Sequence, residues 1–410
     1  MKRLHDGLWR LPGPRALAEE AATAARDGRS VLVLIPVSTD EEAIRSVLMQ
    51  TLRRKEIHPD ILPADPDPSS AVNAYLARFS LSGVVPPVTC DIRKLVRAQN
   101  VPQHLSPEHV PFGAEDAWIS FALSWAEASR GLADERIPPA LFVVSHSTSA
   151  PPPAHPWLHV IYWWGVPSAL ELRLLLRDGT DPGTPEARWR EHLIPSLCAT
   201  DLSLAERLCD VVVTEQHSRV VEVLAEYGRE MGWTQEGLKK EGIEEASRPG
   251  VLMSMPRTSV PPSRFERLWA QGVLVWTPER GLEVHSAALA VMGWRERVLH
   301  RLWRAQTELL LPLLDAYRIR ICEELTESLG TDWPYRHEEP SYEDERALVR
   351  ESPLTTQYGH LARLVKHRPE FSEDKRRFGP TLSHCKRVRD DLAHCRVVEY
   401  KQFTRIPQFL

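Results

Sequence analysis

The chain has 410 residues, 42% of them hydrophobic and 26% charged, with a formal net charge of −5. That length exceeds one ordinary core and predicts two or three domains in a globular protein. No apolar run approaches the roughly 20 residues of a membrane span, and the first residues, Met1 to Arg15, lack the apolar stretch of a secretory signal.

Six cysteines stand at 90, 198, 209, 322, 385 and 395 with no CxxC pair, the pattern of reduced thiols in a cytoplasmic protein. Charge is unevenly spread. Residues 351–410 carry twelve Lys/Arg against seven Asp/Glu, net +5, and the remainder carries 39 against 49, net −10. A polyanion site is therefore expected at the C-terminal end.

In chain order, Ser30 to Val37 is a continuous β-branched and Leu run, typical of a strand buried on both faces. Ser38-Thr39-Asp40 with Glu41 and Glu42 predicts a helix start, running to about Leu52. Further buried strands are predicted at Ala140 to His146 and Leu158 to Trp164, the latter followed by a helix from Ser168 to Arg177. Alternating strands and helices predict an α/β domain with a parallel sheet over residues 1–200. Pro63 to Pro68 and Ala150 to Pro156 read as loops.

From Asp201 the pattern turns helical, with helices at Leu202 to Leu208 and Ser218 to Tyr227. A short helix, Ser263 to Gln271, precedes two short strands, Val273 to Trp276 and Leu282 to His285, around a Thr-Pro-Glu-Arg-Gly turn. Helix plus hairpin predicts a winged-helix-like segment within 201–288. Residues 289–410 read as all-α. A long helix from Leu310 to Leu329 places Leu314, Tyr317, Ile321 and Leu325 on one core stripe, with Pro312 near its start or at a kink. A Glu- and Pro-rich loop (331–353) leads to a helix at Gln357 to Val365, and the final strong helix is expected to begin near Pro380.

The loop after the first strand lacks the GxxxxGK[ST] phosphate cradle; it has no glycine or lysine, and its two glutamates repel phosphate. The order of parts over 1–285 nevertheless resembles a degenerate P-loop module of the AAA/STAND class. A strand stands at 30–37, a Walker-B-like position at 140–146 ends in Ser-His, and a helical and winged-helix-like segment follows. With the nucleotide motifs missing, the resemblance implies a sensing or docking platform with a protein partner, not an ATPase.

Chemistry concentrates on Arg389-Asp390-Asp391-Leu392-Ala393-His394. Arginine brings a permanent charge and a planar donor fork; histidine exchanges a proton near neutral pH. On a regular helix Arg387, Asp390 and His394 share one face, within about 60°. Asp390 at i, i+4 is then expected to orient the His394 imidazole. Arg389 lies about 140° from His394 on that wheel, so a kink, its long stem or a second subunit must bring the two together. Bare R-x4-H spacing recurs at Arg53…His58 and Arg295…His300, so the acidic Asp390, the small Ala393 and the all-α context single out 389–394.

With that motif, residues of about 290–410 resemble the HEPN superfamily of small helical domains, whose ribonuclease members carry R-x4–6-H. The resemblance implies an all-α HEPN-like bundle forming a homodimer with a composite cleft. Metal-independent RNA cleavage would follow, in which a 2′-OH attacks and leaves a cyclic phosphate. His394 would be general acid/base and Arg389 the phosphate stabiliser, with Asp390 beside them. Arg387, Arg396 and His360 are the substrate-binding candidates, and no cofactor or metal is called for. The pairs His384-Cys385 and His394-Cys395 are read as core thiols beside histidines rather than a zinc site.

The expected function is thus a cytoplasmic endoribonuclease effector of a prokaryotic defence or toxin system, with RNA and a second copy of itself as partners and no membrane. The rival is a non-catalytic protein whose bundle only binds RNA or dimerises. A DNA-binding regulator is disfavoured, since Ser263 to Gln271 offers only Arg264 and Arg267 to a groove.

Overall fold

Ser30–Ile35 forms strand β1, and all six of its residues are buried, which requires cover on both faces of the sheet. Its one polar member, Ser30, accepts the Leu141 N–H through its hydroxyl at 3.2 Å, so its burial leaves no orphaned group. This computed structural model describes residues 4–78, 91–97, 101–132, 136–147, 152–178, 181, 183–248, 250–251, 260–336, 338–368 and 371–407. Cys90 and the first two residues of the expected 150–156 loop lie outside them.

Four more strands join β1: β2 (Asp60–Leu62), β3 (His104–Pro107), β4 (Ala140–His146) and β5 (Leu158–Tyr162). The sheet is parallel in the order β2-β3-β4-β1-β5, with Val31 opposite Phe142 on one side and His159 on the other. Helices Pro12–Arg26 and Glu41–Arg54 pack together and onto the sheet, and Glu115–Arg130 packs against β1, β4 and β5. An α/β region with a parallel sheet is what the sequence predicts. The strands at 30 and 158 stop at Ile35 and Tyr162, short of Val37 and Trp164, and β2 and β3 were not anticipated.

Asp40 caps the Glu41–Arg54 helix, accepting from Glu42 N (2.9 Å) and Ala43 N (3.3 Å), and Ser168 with Glu171 forms a capping box for Ala169–Arg177. The expected hairpin is present as β6 (Leu274–Thr277) and β7 (Gly281–Val284), antiparallel with Trp276 opposite Leu282. Gly281, at φ 75°, takes the left-handed position that a three-residue loop needs. A Cβ at Gly165 (φ 70°) would overlap the Trp276 ring, so glycine there lets the hairpin seat against the chain after β5.

Two compact units account for the chain. One holds Met1–Gly179, Cys198–Arg207 and Leu224–Gly293; the other holds Thr180–Leu197, Leu208–Val223 and Trp294–Leu410. The expected middle segment, 201–288, is divided between them.

The first unit buries a titratable cluster. Asp201 accepts the Tyr227 hydroxyl at 2.6 Å and the Leu204 N–H at 3.0 Å, with His285 Nε2 at 3.7 Å. Burial pushes the Asp201 carboxyl up to about 6, although both hydrogen bonds favour the anion. Because the folded value is raised, its contribution to stability is full below about pH 4 and is lost as pH rises through 6. Asp201→Asn keeps an acceptor for Leu204 N–H and has no proton to lose. Its stability relative to wild type should rise between about pH 4 and 6, by up to about 3 kcal/mol, and level off above. Urea midpoints that stay parallel across that range would refute the assignment.

The second unit is helical throughout its described residues. Arg295–Leu329 is one continuous helix containing Pro312, about 50 Å long, and it begins fifteen residues before Leu310. Leu314, Tyr317, Ile321 and Leu325 are all buried, as their spacing requires. Tyr358–His367 and Ser372–Ala393 pack on each other, and the latter packs on the long helix. Two expectations need correction. The 331–353 segment contains a helix, Glu343–Glu351, which buries only Val349 and so has no apolar stripe to read. The helix expected from Pro380 begins at Ser372, eight residues earlier, so that Pro380 lies inside it. Among the described residues no helix is long and apolar enough to cross a membrane.

Candidate functional site

The Ser372–Ala393 helix presents Leu382, Cys385, Val388 and Leu392 to the core of the second unit. Burial pushes the Cys385 thiol up to about 12, and does the same to Cys322, so both are inert apolar fillers. Cys395 is different: it is exposed and does not continue the buried stripe.

The reason is the way the helix stops. His394 is the C-cap; Cys395 N–H bonds to Leu392 O (3.1 Å) and Arg396 N–H to Asp391 O (2.9 Å). These are the two bonds of a Schellman turn, with Cys395 in the left-handed position at φ 55°. Glycine is the usual occupant, since a Cβ there costs about 1–2 kcal/mol. Cys395→Gly should accordingly stabilise the unit by about 1 kcal/mol, after the entropy of the freer unfolded chain is subtracted. A lowered denaturation midpoint would show that the cysteine side chain itself contributes.

His394, off the buried stripe, is exposed to solvent at this helix end. Its partnership with Asp390 does not form. The Asp390 carboxylate is taken by Lys386 Nζ at 2.7 Å and Arg389 Nη1 at 3.2 Å. Asp390 therefore holds Arg389, not the imidazole: the two cations claim its carboxylate, although His394 N–H still bonds Asp390 O at 3.1 Å. Arg387 is exposed, and Arg396, also exposed, leans on Asp391 at 3.5 Å. The structure thus brings Arg387, Arg389, Asp390, His394 and Arg396 to one helix end. It does not bring His360 there. That residue is 1% exposed and its Nε2 lies 2.6 Å from the Pro334 carbonyl, so it belongs to the core and cannot meet a substrate. His384, of the suspected His-Cys pairs, meets the Gln402 carbonyl at 2.7 Å. No group of three metal-ligating side chains occurs among the described residues.

Two residues of the long helix join this end. The Trp303 indole N–H donates to Leu392 O at 2.7 Å, two residues before His394. The exposed His300 ring lies 5.1 Å from the Trp303 ring, tilted by 44°. The same stretch, 295–304, holds Arg295, Arg297, Arg301 and Arg304 against Glu296 alone. Positive charge at this end is therefore not confined to residues 351–410. The sequence did carry a signal, the Arg295…His300 spacing, but nothing local distinguishes it from accident.

The loop after β1 is the other place for a ligand. Here the amides that would hold a phosphate at a helix start are already bonded to Asp40's own carboxylate. The adjoining cleft of about 300 Å³ is lined by His5, Asp6, Trp9, Asp40 and Glu42. Its carboxylates oppose an anion, in line with the missing phosphate loop. Comparison with models of known protein families, with curated proteins and with solved structures finds no match to this chain.

Proposed function

We propose that the chain is a metal-independent endoribonuclease effector of a prokaryotic defence or toxin system. Its helical unit acts as a HEPN-type dimer on RNA. Its α/β unit, a degenerate P-loop-like module, senses or docks a partner. The observation that carries the reading is the exposed His394, held at a hydrogen-bonded turn at the end of the helix that carries Lys386, Arg387 and Arg389, with Arg396 two residues on. Such a set offers an acid–base group beside phosphate-binding cations, which is what transesterification of RNA needs. The capped Asp40 loop supports a platform that works without nucleotide hydrolysis.

One observation favours the rival, non-catalytic reading: Arg389 is already paired with Asp390, so phosphate must displace a carboxylate to reach it. The two readings part in one assay. Structured and single-stranded RNAs are incubated with the protein in EDTA, and product ends are analysed. Cleavage leaving 2′,3′-cyclic phosphate ends supports the ribonuclease. Salt-sensitive binding with intact RNA leaves only the binding protein.

A further inference from the structure

The long helix places a second exposed histidine at the same helix end as His394, and one side chain ties the two together. Trp303 Nε1 donates to Leu392 O at 2.7 Å, an oxygen that also accepts from Cys395 N–H at 3.1 Å within the turn that presents His394. Beside that indole lies His300, tilted by 44° at 5.1 Å between centroids and one helical turn upstream. Both histidines are exposed, and the stretches of helix that carry them are rich in arginine. Residues 300 and 303 are separated from 392 by about ninety positions, so only the tertiary fold creates the pair.

We infer that His300 is a second acid–base group of the RNA-cleaving site, and that Trp303 is the positioning residue that holds it in register with His394. This inference rests on the ribonuclease reading and completes its chemistry. Cleavage through a 2′-OH moves two protons. One imidazole takes the proton from the 2′-OH as the O2′–P bond forms. The other, as imidazolium, gives a proton to the 5′-oxygen as the P–O5′ bond breaks. The cyclic phosphodiester keeps the single negative charge of the original linkage, which Arg389 offsets once phosphate displaces Asp390 from it. A lone histidine must perform both transfers in turn; a pair performs them in one step from opposite sides of the phosphate.

The test measures steady-state RNA cleavage in EDTA by the full-length protein, wild type against His300→Ala, His394→Ala and His58→Ala. His58, in another R-x4-H echo of the sequence, is exposed in the first unit and serves as control. His300→Ala and His394→Ala should each lower kcat by about 100-fold or more with little change in KM, while His58→Ala matches wild type. The pH–rate profile should be bell-shaped in wild type and lose one limb in each histidine variant. A substrate whose 5′-bridging oxygen is replaced by sulfur loses a thiolate that needs no proton. It should therefore rescue one of the two variants and not the other, naming the acid. His300→Gln, with an unchanged thermal unfolding midpoint, excludes simple misfolding. If His394→Ala is inactive while His300→Ala retains wild-type rate and pH profile, the pair is wrong and the ribonuclease reading stands. If wild type leaves RNA intact, both are overturned.

Discussion

RNA cleavage in EDTA will fall by about 100- to 10,000-fold on replacing His394 with alanine, the range for losing a positioned acid–base group. Arg389→Ala will have a comparable effect, because a phosphorane builds negative charge that only a nearby cation offsets in a metal-free site. Arg389→Lys will recover little of it. A lysine ammonium is a point charge on a flexible stem and cannot span two phosphate oxygens as the guanidinium fork does. Asp390→Asn separates two roles for that carboxylate. In the structure it binds Lys386 and Arg389, so removing its charge frees both cations and should tighten RNA binding, lowering KM with kcat nearly kept. If Asp390 instead orients the imidazole during turnover, kcat will fall while KM holds. Equal cleavage by wild type, His394→Ala and Arg389→Ala would sink the assignment of the site.

Trp189→Ala will cost the helical unit about 3–5 kcal/mol, the cost of emptying a fully buried aromatic site. Trp189 is wholly buried, stacks on Phe403 at 5.0 Å and 21°, and donates its indole N–H to the Val212 carbonyl at 2.8 Å. The truncation therefore leaves a cavity and an unsatisfied carbonyl together. Trp189→Phe, which keeps a ring but no donor, should cost less than half as much. Urea unfolding measures both, and a loss below about 1 kcal/mol for alanine would show that the segment around Trp189 is not integral to the unit. The same contacts predict how fragments behave. A piece starting at 289 lacks Trp189 and also His217, whose Nε2 lies 2.8 Å from the Val398 carbonyl. Such a fragment should be unfolded or aggregated, whereas one starting at 180 retains both partners.

How much was legible follows from what each signal depends on. The buried strands β1 and β4 are continuous apolar runs, and the 314–325 stripe is a plain helical period, so both are encoded locally. The caps Asp40 and Ser168 act within three residues and were readable for the same reason. β2 and β3, of three and four residues, are too short to carry a period and exist because the sheet edge supplies their partners. The helix over Glu343–Glu351 is polar nearly throughout, and the turn before Pro380 is helical with Phe378 as its buried anchor. Proline weakens a helix by withholding one N–H, and tertiary packing outweighs that cost.

By itself the sequence determined an α/β region with a parallel sheet, a helical remainder, the absence of a phosphate-binding loop and the spacing of Arg389, Asp390 and His394. Only the tertiary structure decided what those residues do to one another. A helical wheel says which residues share a face, and His394 keeps that register, its N–H on Asp390 O at 3.1 Å, but it does not say which neighbour a carboxylate takes. The Asp390 carboxylate goes to the cations within reach, Lys386 and Arg389. Trp303 and His300 arrive from the long helix by packing, and no pattern within 389–394 could announce them. Spacing is a property of the chain, while the partner of an ionisable side chain is set by which groups the folded core leaves within a few ångströms.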